Sequence, residues 1–202
     1  MKITKELLKE KGACAAGYRD FLKEYPVDKY PDGVEYQELL DCCAEKNFSY
    51  GSWLLGAFGK TDEVRRIAGD LIVEKGILFA GRLEVKGCIK AGWDIKAGRG
   101  IDAGDGIKAG DGIKAGEGIE AGRGIKAGRG IKAGRGIKAC LGIEAGYGIE
   151  AGEGIETGDE FGIYAGLRCR ITNKTQRKII AKKRPENIMC GEFEEKSDSE
   201  GK

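Results

Sequence analysis

The chain has no histidine in its 202 residues, so it lacks the side chain most used as a general base and metal ligand near neutral pH. Its seven cysteines form no CxxC pair: Cys42 and Cys43 are adjacent, while Cys14, Cys88, Cys140, Cys169 and Cys190 lie at unrelated spacings. They read as free thiols, with neither a disulfide framework nor a structural zinc site expected. No apolar run approaches a membrane span, and Met1-Lys2-Ile3-Thr4-Lys5-Glu6 leads into no apolar signal segment. A cytoplasmic protein without membrane contact is expected. The net charge of +2 singles out no class of partner.

What is abundant is one hexapeptide, Ile-Lys-Ala-Gly-Arg-Gly and its variants. With Ile95 as its first position, the phase recurs without a slip through Ile101, Ile107, Ile113, Ile119, Ile125, Ile131, Ile137, Ile143, Ile149 and Ile155. Each Ile is followed two residues later by a small residue, so Ile and Ala point inward from a short strand and the residue between them points out. The intervening Gly-x-Gly reads as a corner, glycine being free to adopt positive φ. Strands this short are stable only when successive coils stack and pool their inward faces. The phase extends forward to Leu71/Val73, Ile77/Phe79 and Leu83/Val85. It extends backward to Phe161/Ile163 and Leu167/Cys169, giving seventeen hexads over 71–172.

This pattern resembles the hexapeptide-repeat, left-handed parallel β-helix family, in which three hexads make one triangular coil; the order of aliphatic and small residue is reversed here. The resemblance implies a mainly β fold of five to six three-hexad coils, and a flattened coil of two hexads is the alternative. Family members that are enzymes use histidine as a base or metal ligand. No position here matches those residues, so the resemblance carries fold without activity. No enzyme, cofactor or metal is expected.

Residues 1–70 read as helices forming a cap or a recognition unit. Tyr18, Phe21, Leu22 and Tyr25, and then Tyr36, Leu39, Leu40 and Cys43, repeat helical spacing. Asp32 and Glu35 suggest a capping box, and Val64, Ile67 and Ala68 a last helical turn. Residues 173–193 suggest a β-hairpin cap around Arg184-Pro185-Glu186-Asn187, and 194–202 a disordered charged tail.

Three-hexad coils stack Lys90, Lys108 and Lys126 on one face and Lys96, Lys114 and Lys132 on a second. The third face is mostly acidic. Ile89–Ala139 carries eleven basic and six acidic residues, whereas Gly142–Glu160 carries six acidic and no basic ones. Near that acidic collar Ala139-Cys140-Leu141 breaks the motif, and Tyr147 takes a corner position on the edge that also holds Trp93, Asp111 and Arg129. Corners accept nearly any outward residue, so Trp93, Arg129, Leu141 and Tyr147 are the candidate anchors for a protein partner. By analogy, a small helical head on a simple repeat suggests an inhibitor or adaptor of phages and mobile elements, including anti-defence and anti-CRISPR proteins. The alternatives are a nucleic-acid or other polyanion binder using the six lysines, and a homo-oligomeric, self-assembling scaffold.

Overall fold

A computed structural model describes residues 1–167 and 174–197. The repeat forms a parallel β-solenoid in which each Ile-x-Ala is a three-residue strand, from Ile89–Ala91 through Ile149–Ala151. The strands make three parallel sheets, two of seven strands and one of six among the described residues. Lys96 registers with Lys114 and Lys114 with Lys132. The coil is therefore made of three hexads, and the two-hexad alternative does not occur.

We number the sheets as faces. Face one runs from Leu71–Val73 to Ile188–Cys190, face two from Ile77–Phe79 to Glu192–Glu195, and face three from Val64–Ile67 to Ile155–Glu156. Every Ile and Ala of the repeat is buried between the faces, in one continuous core. At about 4.8 Å per strand, seven strands rise roughly 29 Å.

The corners need glycine for a reason other than the one their sequence suggests. None from Gly92 to Gly154 has φ in the left-handed region. Space decides instead: a Cβ on Gly116 would stand 2.0 Å from the carbonyl oxygen of Gly98 one coil below, and one on Gly110 1.9 Å from that of Gly92. The second glycine of the corner is looser, since a Cβ on Gly118 would meet nothing nearer than 3.6 Å.

The solenoid is longer at both ends than the five to six coils expected. Val64–Ile67 is a strand, not a helical turn, because it pairs in parallel with Arg82–Val85 and starts face three. At the other end a longer corner shifts the phase by two residues: Ile163, not Phe161, registers with Ile143. Within that corner Thr157 Oγ1 donates to Phe161 O at 2.9 Å. Phe161 is thereby turned out and Tyr164 takes the outward position. The expected C-terminal strands lie on either side of the Arg184–Asn187 turn. Each joins a different sheet in parallel: Lys178–Ala181 on face two and Ile188–Cys190 on face one. Glu192–Glu195 then pairs with Lys178–Ala181, so the charged stretch expected to be disordered begins inside a strand; residues 198–202, and the Cys169 and Thr172 positions of the repeat, lie outside the described residues.

Four helices form the head: α1 (Lys5–Glu10), α2 (Ala15–Glu24), α3 (Tyr36–Lys46) and α4 (Gly51–Phe58). Phe21, Tyr25, Tyr36, Leu39, Leu40 and Cys43 supply its core, as their spacing predicts. The Asp32/Glu35 capping box does not form. Val34–Glu35 is instead held extended by antiparallel pairing with Lys2–Ile3, and Glu35 caps α3 without a side-chain bond.

The head closes one open edge of the first coil. Gln37 on α3 donates from Nε2 to Leu78 O at 2.7 Å and accepts from Ala80 N at Oε1 at 3.1 Å. One carboxamide thus stands where the peptide group of a further strand would be. Leu78, outward on face two, is buried in the head's core. Below this contact lies an ion network: Glu117, only 7% exposed, takes Lys60 Nζ at 2.9 Å and Arg82 and Arg99 at 3.4 Å. It fastens the segment after α4 to the edge between faces two and three.

Candidate interaction surface

The three faces differ in how far their outward residues satisfy one another. Face three reads Arg66, Glu84, Asp102, Glu120, Lys138, Glu156. Most of it is self-paired, through Arg66–Glu84 at 2.8 Å, Arg82–Asp102 at 2.5 Å and Lys138–Glu156 at 3.7 Å. Face two begins under the head at Leu78. Lys96 then pairs with Asp94 at 2.6 Å, and Glu150 takes Lys132 at 2.7 Å and Lys196 at 3.0 Å; burial is the largest single influence on the Glu150 carboxyl and raises it, but the two lysines together outweigh it and hold the group below the usual range. Lys114 alone of its three lysines makes no ion pair among the described residues.

Face one is different. Its outward residues are Ile72, Lys90, Lys108, Lys126, Glu144 and Tyr164. Lys126 pairs with Glu144, but Lys90 and Lys108 make no ion pair among the described residues. Ile72 is 61% exposed at one end. At the other end Leu141, Phe161 and Tyr164 line one shallow groove together with Lys90, Lys108 and Lys126. Met189, 67% exposed, lies over Gly162, where a Cβ would stand 2.2 Å from its Cγ. Four apolar or aromatic side chains therefore gather where the basic ladder ends.

The residues singled out from sequence fall around this face. Trp93, Asp111, Arg129 and Tyr147 stack on the edge between faces one and two, each amide donating to the carbonyl of its equivalent one coil earlier. Trp93 is half-buried, with Lys75 Nζ 4.8 Å from its ring centroid, and Arg129 pairs with Asp111 at 3.2 Å. Those contacts account for both residues, whereas Tyr147 is exposed. Leu141 is exposed too, on the opposite edge of face one, so the structure places it beside Phe161 and Tyr164 and apart from Trp93 and Tyr147. Lys96, Lys114 and Lys132 stand on the neighbouring face.

Sequence reasoning missed Ile72, Phe161, Tyr164 and Met189. A signal existed for Tyr164, where Ile163-Tyr164-Ala165 puts an aromatic in the slot the repeat reserves for charge. Cys140 adds a further observation. It fills the crowded first-glycine position, and here the coil-to-coil bond from Cys140 N to Ala121 O is 3.3 Å, against 3.0 Å for Gly122 N to Ala103 O one coil below. Packing does not call for the Cys140-Leu141 pair.

Among the described residues no three of His, Cys, Asp and Glu are grouped so as to hold a metal ion, and no helix is long and apolar enough to cross a membrane. No protein-family model, curated protein or solved structure matches the chain.

Proposed function

We propose that this chain is a non-catalytic binding protein that engages another protein through face one, with Leu141, Phe161, Tyr164 and Met189 as apolar anchors and Lys90 and Lys108 at the rim. The supporting observation is the contrast between faces: faces two and three pair most of their charges, Lys114 and Glu120 being exceptions among the described residues, while face one combines clustered apolar exposure with Lys90 and Lys108, which make no ion pair among the described residues. A buried apolar centre with a polar rim is what protein interfaces use. Tyr147 and, less directly, Trp93 and Arg129 extend the surface around one edge. The narrower form of the reading is a cytoplasmic inhibitor or adaptor of the kind that phages and mobile elements encode, carried by analogy. Left-handed winding of the solenoid belongs to the same reading through the family resemblance.

Polyanion binding has less behind it, because Lys96, Lys126 and Lys132 are already held by carboxylates. Two features work against end-to-end assembly: Gln37 closes the face-two edge at one end, and Glu192, Glu194 and Glu195 charge the terminal strand at the other. The test is crosslinking of the full chain in cell extract, comparing Leu141→Arg and Tyr164→Glu with the face-three control Glu120→Ala. Loss of one protein partner in the first two, retention in the control and survival at moderate salt are expected. A partner lost on nuclease treatment, or on reversing Lys90 and Lys108 with a steep salt dependence, would replace this reading with the polyanion one.

A further inference from the structure

The head contains a cavity of about 260 Å³ between its helices, distinct from face one. It is partly open to solvent, and an apolar cavity of about 150 Å³ is already large enough to take up benzene. Phe21, Tyr25, Phe48, Tyr50 and Trp53 line this one, with Phe48 and Tyr50 stacked at a centroid separation of 5.0 Å. Two carboxylates one turn apart on α2, Asp20 and Glu24, also line it, and no lysine or arginine does. Glu24 is paired with Lys46 from outside the wall. Asp20 accepts the Tyr50 hydroxyl at 2.8 Å and makes no ion pair among the described residues. Burial, reinforced by Asp20, pushes the Tyr50 hydroxyl far up, so it stays protonated and donating.

Aromatic rings present a negative π face, which attracts ammonium groups most strongly where water is excluded. Asp20 feels Lys46 only at a distance, because Lys46 is bonded to Glu24, so this carboxylate in an aromatic wall has room for a directly bonded positive charge. We propose that the cavity binds a small organic cation with an apolar body, an arylalkylamine by chemical class, its ring among the aromatic side chains and its ammonium group at Asp20. A neutral analogue would keep the apolar contacts and lose the charge contact; an anionic one would meet Asp20 and Glu24 as like charges.

The experiment is calorimetric titration of the full chain with 2-phenylethylamine, 2-phenylethanol and 3-phenylpropionate. The amine is expected to bind, the alcohol at least about tenfold more weakly, and the carboxylate not measurably. Asp20→Asn should bring the amine down to the alcohol's affinity while leaving the alcohol unchanged, since an amide oxygen still accepts from Tyr50. Gly17→Leu should abolish binding of both, because a Cβ at Gly17 points between Cys14 Sγ and the Tyr50 ring, 3.5 Å from each. Should that variant fail to fold, the ranking of the three probes and the Asn variant still decide. Equal affinity for amine and carboxylate, no binding of the amine at millimolar concentration, or an Asp20→Asn variant that keeps the amine preference would each overturn the assignment.

Discussion

Alanine at Gly116 and alanine at Gly118, two residues apart in one corner, should have very different consequences. At Gly116 the new methyl would stand 2.0 Å from Gly98 O, which belongs to backbone fixed by its own coil-to-coil bonds. Relief requires the coils to part by more than about 1 Å, straining Gly116 N to Ala97 O at 3.1 Å and Glu117 N to Arg99 O at 3.2 Å. Overpacking costs about 1–3 kcal/mol and a weakened hydrogen bond adds to it, so about 3 kcal/mol is expected. For a chain of this length that is a fall of roughly 6–12 °C in Tm. At Gly118 the nearest atom would be 3.6 Å away. Alanine there should change stability by no more than about 0.5 kcal/mol, and by restricting the unfolded chain it should if anything stabilise. Cys140 already occupies the crowded position, so Cys140→Gly should raise Tm by a few degrees. Thermal melts followed by circular dichroism on the three variants check this. Equal shifts at Gly116 and Gly118, or a lower Tm for Cys140→Gly, would refute the steric account of the corner.

The Gln37 carboxamide should matter locally as well as globally. Gln37→Leu strands Leu78 C=O and Ala80 N–H at a partly covered edge, at about 2 kcal/mol, and hydrogen exchange at Ala80 should accelerate far more than at Ala97; unchanged protection at Ala80 would remove the edge-closing role. The Glu117 network sets an acid limit. The hydrogen bond and charge of Lys60, then Arg99 and Arg135, hold the Glu117 carboxyl below the usual carboxylate range. A depressed folded value means that its stabilisation is complete above the ordinary carboxylate range and lost as pH falls through the lower folded one. Glu117→Gln should therefore be less stable than the native chain at neutral pH, with the gap closing as pH falls below the ordinary carboxylate range. A gap that stays constant over that span would show that Glu117 acts by packing alone.

The period of the repeat was enough to determine the solenoid and its inward Ile and Ala, because in a stacked repeat each residue's main neighbour is its own equivalent one coil away; two or three hexads per coil both fit that period, and only the strand register, with Lys96 on Lys114, decided for three. Leu141 and Tyr147 were legible for the same reason, as departures from a rule. Where residues are aperiodic, the partners are remote and local pattern is silent. Val64–Ile67 has a spacing that suits a helix as well as a strand, and only Arg82–Val85 lying alongside makes it a strand. The two-residue phase shift before Ile163 turns Phe161, which the hexad count places inward, out of the core, and sets Tyr164 beside Leu141 on face one. The corner glycines were legible as a requirement, but not its cause, since a carbonyl oxygen of the neighbouring coil occupies the space a Cβ would need. Gln37 on the edge of the first coil and the aromatic cavity beside Asp20 come from the packing of helices distant in sequence, and tertiary structure alone decided them.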